Sequence, residues 1–225
     1  MQHIGFIMDG NRRWAKKLGN VASFGHQNGF KKMENVFDMC LKAEIPYVSM
    51  WRLSKENITE RSEEEIKTLF TIIRTQILSL GQTMKEKSIR FEIVWDLWLL
   101  PADVREVLLN TIELTKEGVA MTTIFAVAYS GQDEIVRWIR RCMREGIDPE
   151  NLTEKEFLQY IDTGSYPPPN VIVRTGGYVR HSGYFLYQSA YSEYFFTDTL
   201  WPDFSQKDFD AVIDFYSMQQ RNFGK

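Results

Sequence analysis

The amino-acid sequence predicts an α/β fold: a single domain over residues 1–225, with a central, mainly parallel sheet of about six strands flanked by helices. Short apolar runs alternate with helix-period segments along the whole chain, and the order βαβαβαβ calls for crossover connections. The runs are almost continuously apolar, which suits strands covered on both faces better than the alternation of a half-exposed sheet. No internal repeat or low-complexity linker interrupts the 225 residues, and a chain of that length carries enough apolar material for one core.

Residues 3–8 form the first run, followed by 47–50, 89–94, 121–128 and 171–173, with a weaker run at 194–196. Between them, residues 25–43 place Phe30, Met33, Phe37 and Leu41 at three- and four-residue spacing, which makes one apolar helical stripe. Ser62 with Glu65 three residues on predicts a capping box for a helix through Leu80. Pro101 opens a further helix to Lys116, and Gly118 ends it. Residues 132–144 continue the alternation, Thr153 with Glu156 makes a second capping box, and 205–220 closes the chain as a helix. Pro167-Pro168-Pro169 reads as a hinge, but it lies too near the next strand to divide the chain.

Hydrophobic residues make up 44% and charged residues 25%, a profile of globular proteins. A formal charge of -3 excludes a surface devoted to nucleic acid, yet leaves room for a local basic pocket. Cys40 and Cys142 lack metal-ligand spacing and read as reduced core residues. No run approaches a membrane span of roughly 18 apolar residues, and the N-terminus enters a strand at once. The expected location is cytoplasmic, with a peripheral membrane contact left open.

In open α/β sheets ligands gather at the carboxyl ends of strands. The first such junction reads Asp9-Gly10-Asn11-Arg12-Arg13-Trp14. Gly10 lets backbone approach a ligand, Asn11 is placed to cap the next helix, and Arg12 and Arg13 bring cations suited to a diphosphate. Asp9 would repel phosphate unless a divalent cation bridged them, and Mg²⁺ is the natural bridge. A plain Asp-Gly-Asn turn with solvated arginines is the competing reading. A second cluster follows residues 171–173: Arg174, two glycines at 176 and 177, Tyr178, Arg180, His181 and Ser182. Arg174, Arg180 and Ser182 can donate to a second diphosphate, and Glu193 can supply another metal carboxylate.

The ordered motifs HIGFIMDGNRRWAKKLG, FGHQNG, LSKEN, RSEEE, VRTGG, VRHSG, SAYSEYFFTDTLWPDF and the terminal RNFG resemble those of the cis-prenyltransferases, over essentially the whole chain. The resemblance implies an undecaprenyl diphosphate synthase-like fold. It also implies Mg²⁺-dependent condensation of isopentenyl diphosphate onto an allylic prenyl diphosphate, such as farnesyl diphosphate. Asp9 would hold Mg²⁺, with Gly10, Asn11, Arg12, Arg13, Trp14 and His26 at the allylic diphosphate. Ser54, Glu56, Asn57 and Arg61 would belong to a mobile segment closing over the substrates, with Asn57 and Ser54 orienting proton transfer. Arg174, Arg180 and Ser182 would bind isopentenyl diphosphate, and Glu193 would join Mg²⁺. Phe30, Met33, Phe37, Leu69 and Ile73 are candidates to line a hydrocarbon tunnel, or else plain core. A homodimer is expected, resting on the aromatic-rich residues 184–196 and on Arg221-Asn222-Phe223-Gly224.

Several positions depart from the family pattern. Arg12 stands where glycine is usual, Ala22 replaces an arginine, Ile58 an aromatic and Tyr178 an acid. The Asn-Tyr-Gly signature reads Ala128-Tyr129-Ser130, and Arg52 occupies a place where a small residue is expected beside the tunnel. A buried unpaired charge there is costly, so Arg52 shortens the product, finds a partner or points elsewhere. These departures leave product length, stereochemistry and primer open. They also keep a second reading, a non-catalytic or altered-specificity homologue serving as dimer partner.

Overall fold

In a computed structural model, which describes residues 1–95, 99–148 and 150–219, the apolar runs become six strands. They are β1 (His3–Ile7), β2 (Tyr47–Ser54), β3 (Ile89–Trp95), β4 (Met121–Tyr129), β5 (Val171–Arg174) and β6 (Glu193–Phe196). All pairs are parallel, in the order β3-β4-β2-β1-β5-β6. Every residue of β1 is buried, with Ile4 and Phe6 in one core cluster and Ile7 in another. Both faces of the sheet are therefore covered, which is why its strands read as unbroken apolar runs.

The helices are α1 (Asn11–Lys17), α2 (Ala22–Lys42), α3 (Lys55–Glu60), α4 (Glu63–Glu86), α5 (Ala102–Thr115), α6 (Gly131–Glu145), α7 (Glu154–Leu158) and α8 (Gln206–Ser217). Ser62 caps α4, its side chain accepting from the Glu65 N–H at 3.3 Å, and Thr153 with Glu156 closes a full capping box on α7. Pro101 sits at the N-cap of α5 rather than inside it. Asn11 does not cap α1. Gly10 is the N-cap in the left-handed conformation, and the Asn11 amide turns back to donate to the Met8 carbonyl at 3.2 Å. Asn11 instead wedges between helices: a Cβ on Gly25 would meet its carbonyl oxygen at 2.0 Å, and one on Gly29 its Oδ1 at 2.0 Å. The two glycines of FGHQNG are what let α2 lie against α1.

Phe30, Met33, Phe37, Leu69 and Ile73 are all buried in the larger core cluster, packed as core. In the aromatic segment after β5, Tyr184 and Phe185 are fully buried behind the sheet, whereas Tyr191 is exposed. The segment expected at Arg221-Asn222-Phe223-Gly224 lies outside the described residues.

Candidate active site

The carboxyl ends of β1, β2 and β5 converge, and the side chains that leave them meet at Asp9. Gly10 has φ 108°, and a Cβ there would strike Leu200 Cδ2 at 2.8 Å. Only glycine fits this bend. The Asp9 carbonyl accepts from the Trp201 N–H at 3.0 Å and from Thr175 Oγ1 at 2.8 Å, so the backbone is pinned by the chain on both sides. Its carboxylate is left half-exposed and held by arginines from both sequence clusters. Arg13 Nη2 stands 3.4 Å from Oδ1, and Arg174 Nη2 donates to Oδ2 at 3.1 Å.

Arg174 is buried, which lowers its pKa, although Asp9 counteracts this. Its second arm donates to the Arg180 carbonyl at 2.7 Å and to Ser182 Oγ at 2.8 Å. The glycines at 176 and 177 shape the turn that follows Arg174. Their N–H groups already donate to the carbonyls of Thr199 and Thr197, both at 2.8 Å, so they are not free to cradle phosphate. Both have positive φ, and a Cβ on Gly176 would meet Arg13 Nη2 at 2.6 Å. Glycine here makes room for an arginine.

On the β2 side, Ser54 ends the strand and caps α3, accepting from the Asn57 N–H at 3.1 Å. The segment expected to close over the substrates is helical here, and none of the residues of α3 is buried. Arg61 joins Asn57 Oδ1 at 3.3 Å to Glu65 at 2.9 Å, and Arg12 reaches the same Glu65 oxygen at 3.7 Å. Glu56 stays exposed. Under this group lies His26, buried, with Nε2 unpartnered among the described residues. Burial and the repulsion of Arg52, Arg61 and Arg12 push its pKa down to about 3, so it is neutral.

Arg52 comes from β2 at a break in the ladder. Trp51 faces Ala126 and Leu53 faces Val127, so Arg52 is the extra residue of a bulge. The next pair, Ser54 with Tyr129, skips Ala128 on β4, which has φ 53°. Two bulges restore the register between them. The Arg52 guanidinium lies 4.7 Å from the centroid of the Phe30 ring, with Nε unpartnered among the described residues, and burial lowers its pKa to about 10.

Four arginines (12, 13, 61 and 174) thus meet two carboxylates, Asp9 and Glu65, while Arg52 stands by His26 and Arg180 by Tyr178. Such an imbalance in a half-buried pocket calls for an anion of high charge, and paired phosphates meet it with bidentate guanidinium contacts.

The sequence profile of the family described as "Putative undecaprenyl diphosphate synthase" matches residues 7–224. A tritrans,polycis-undecaprenyl-diphosphate synthase (geranylgeranyl-diphosphate specific) of Thermoplasma acidophilum is 37% identical over 230 residues, covering 100% of this chain and 89% of its own. An isoprenyl transferase of Chlorobaculum tepidum is 36% identical, covering 100% of this chain and 86% of its own. Among solved structures, a lavandulyl diphosphate synthase from Lavandula x intermedia, in complex with dimethylallyl diphosphate, superposes with a TM-score of 0.94 at 29% identity, covering 100% of this chain and 98% of that one. The chain belongs to the cis-prenyltransferase family.

Within this cis-prenyltransferase the expected site residues divide by place. Asp9, Arg13, Arg174, Arg180 and Ser182 lie in one network of contacts, and Ser54, Asn57, Arg61 and Arg12 meet in a second through Glu65; the charge of Arg61 is felt both at Asp9 and at His26. Trp14 is turned to other work: its Nε1–H donates to Asp203 at 2.6 Å and its ring stacks on Phe24. Glu193 is not brought to Asp9 within the chain. The register sets Glu193 beside Val171, and Val171 beside Ile4, at the start of the strands, whereas Asp9 follows their far end. Three residues outside the expected set belong to these networks. Thr175 fastens Asp9, Glu65 receives two arginines, and Tyr178 lies beneath three. For Glu65 the capping-box pattern hid a second use. For Tyr178 the signal was its departure from the family pattern.

Proposed function

We propose that this protein condenses isopentenyl diphosphate in cis onto an allylic prenyl diphosphate, forming a polyprenyl diphosphate. The observation that carries the proposal is the double hold on Asp9, whose two carboxylate oxygens each meet an arginine from a different anion cluster. Two phosphorylated substrates are thereby brought beside one carboxylate. The allylic C1–O bond breaks as C1 bonds to C4 of isopentenyl diphosphate, diphosphate departs, and the C2 proton is lost. The arginines would bind the departing charge, and the Ser54–Asn57–Arg61 chain of contacts would hold polar groups beside the substrates.

Among the described residues no group of three or more metal-ligating side chains forms a cage. Asp9 alone of the proposed pair faces the pocket, and a carboxylate sharing its ion with substrate phosphates is how Mg²⁺ is usually held. Asp9 would hold Mg²⁺ with the diphosphate, and the ion would neutralise charge growing on the leaving group. Glu193 would require another arrangement, such as a second copy, to take part. The protein works on this proposal as a homodimer, and the exposed Val136, Ile139 and Met143 on α6 offer apolar surface for assembly or for peripheral membrane contact during product release.

A second reading, short products, is favoured by Arg52. Its charge sits against Phe30, where an elongating hydrocarbon would need apolar surface, and Phe30 also borders a crevice of about 590 Å³ between α2 and α4. The test is incubation with radiolabelled isopentenyl diphosphate, Mg²⁺ and dimethylallyl, geranyl, farnesyl or geranylgeranyl diphosphate. Label in lipid-extractable product supports the proposal, and its chain length chooses between the readings. No turnover with any primer turns the assignment toward a non-catalytic partner subunit.

A further inference from the structure

Where the family pattern has an acid, the ring of Tyr178 carries three guanidinium groups. Arg180 stands 4.3 Å from its centroid, Arg13 4.8 Å and Arg174 5.7 Å. The ring is 43% exposed, so it is not held there as core. Arg13 comes from α1, which follows β1, whereas Arg174 ends β5 and Arg180 lies in the segment that leaves it. A single side chain therefore touches the cations of both anion clusters.

We infer that Tyr178 is a positioning residue that gathers the arginines of the two diphosphate pockets around one aromatic ring and fixes their spacing before substrate arrives. This rests on the reading of those arginines as diphosphate ligands. A carboxylate at this position would also attract them, but it would neutralise charge and accept their N–H groups. An aromatic face attracts cations through its quadrupole and leaves the N–H edges free for phosphate. Mutual repulsion of three guanidiniums would otherwise spread them, and the ordering of long side chains would fall on the binding step. Filling either pocket would then also steady the ring that serves the other.

The experiment is calorimetric titration of the protein with inorganic pyrophosphate, without metal and at two salt concentrations, for the native chain, Tyr178→Phe, Tyr178→Ala, Tyr178→Glu and Arg180→Ala. Thermal melts confirm that each variant is folded. Tyr178→Ala should bind about fivefold more weakly, the scale of one or two exposed cation–π contacts. Tyr178→Phe should restore affinity to within about twofold, because the ring and not the hydroxyl does the work. Tyr178→Glu should bind more weakly than Tyr178→Ala, most markedly at low salt. In turnover, the loss in Tyr178→Ala should fall on KM for isopentenyl diphosphate rather than on kcat. Binding by Tyr178→Ala as tight as the native chain, or failure of Phe to rescue, overturns the inference. Full pyrophosphate affinity in Arg180→Ala would instead overturn the underlying assignment of the arginines.

Discussion

The guanidinium of Arg52 rests 4.7 Å from the centre of the Phe30 ring, carried there by a bulge that frees Arg52 from the β2–β4 ladder. The charge is partly stripped of water and answered by an aromatic face rather than by a carboxylate. Replacing it should alter what the neighbouring space can accept. Each added isoprene unit buries several carbons, at roughly 0.8 kcal/mol per CH₂, and a guanidinium in the way cancels that gain. Arg52→Ala should shift the products of a given primer toward longer chains while leaving KM for isopentenyl diphosphate nearly constant. Identical chain-length profiles for the two proteins would show that Arg52 does not limit growth.

Asp9→Ala should reduce turnover by about two to three orders of magnitude, the scale of losing one preorganised electrostatic group. The fold should remain. The aspartate backbone, not its carboxylate, holds the loop through Thr175 and Trp201, and Arg174 keeps its bonds to Arg180 and Ser182. Unchanged activity with an unchanged melting temperature would remove Asp9 from the mechanism.

Ala128 pairs with Ala126 as a matched control, since both are buried alanines on β4 and only Ala128 has positive φ, at 53°. A left-handed alanine carries about 1–2 kcal/mol of strain that glycine relieves. Ala126→Gly should be the more destabilising of the two by about that amount, measured by denaturant unfolding. Equal losses at the two positions would mean that the β4 bulge costs nothing.

His3 is fully buried, its Nδ1 at 2.6 Å from the Pro167 carbonyl and its Nε2 at 2.8 Å from Ser49 Oγ. Burial pushes its pKa from 6.5 down to about 4. The folded chain refuses a proton that the unfolded chain takes, so the stability from neutral His3 is complete above pH 6.5 and drains away as the pH falls toward 4. The slope should approach about 1.4 kcal/mol per pH unit from this residue, and His26 adds to it in the same direction. In His3→Asn the loss on acidification should be shallower. A constant stability gap between the two proteins from pH 7 to 4.5 would show that His3 titrates normally.

The strands were legible because burial on both faces writes itself as unbroken apolar runs, and β1 to β5 fall within a few residues of their expected limits. The gathering of Asp9, Arg13, Arg174 and Arg180 was legible because such residue types need a reason to stand at the carboxyl ends of strands. Hydrogen-bond direction was not. The two glycines at 176 and 177 stood out in the sequence, but nothing there showed that their N–H groups are taken by the carbonyls of Thr199 and Thr197. Asn11 read as a cap because caps and interhelical wedges use the same small amide. Strand register decided the position of Glu193, and a carboxylate in a sequence does not say at which end of its strand the pocket lies.

The two walls of this pocket are built to different stiffness. The Arg174 side is stitched by main-chain bonds to the segment after β6 and by Thr175 to the segment after β1. The opposite wall, α3, buries none of its six residues and is moored by Ser54, by Arg61 and by an ion pair from Lys55 to Asp133. Breathing at the pocket should therefore be one-sided: amide hydrogens of residues 55–60 should exchange with solvent well before those of residues 174–177. If they do, the entrance works as a door hung on the β2 side against a fixed jamb, opened by displacing side-chain contacts and not the sheet.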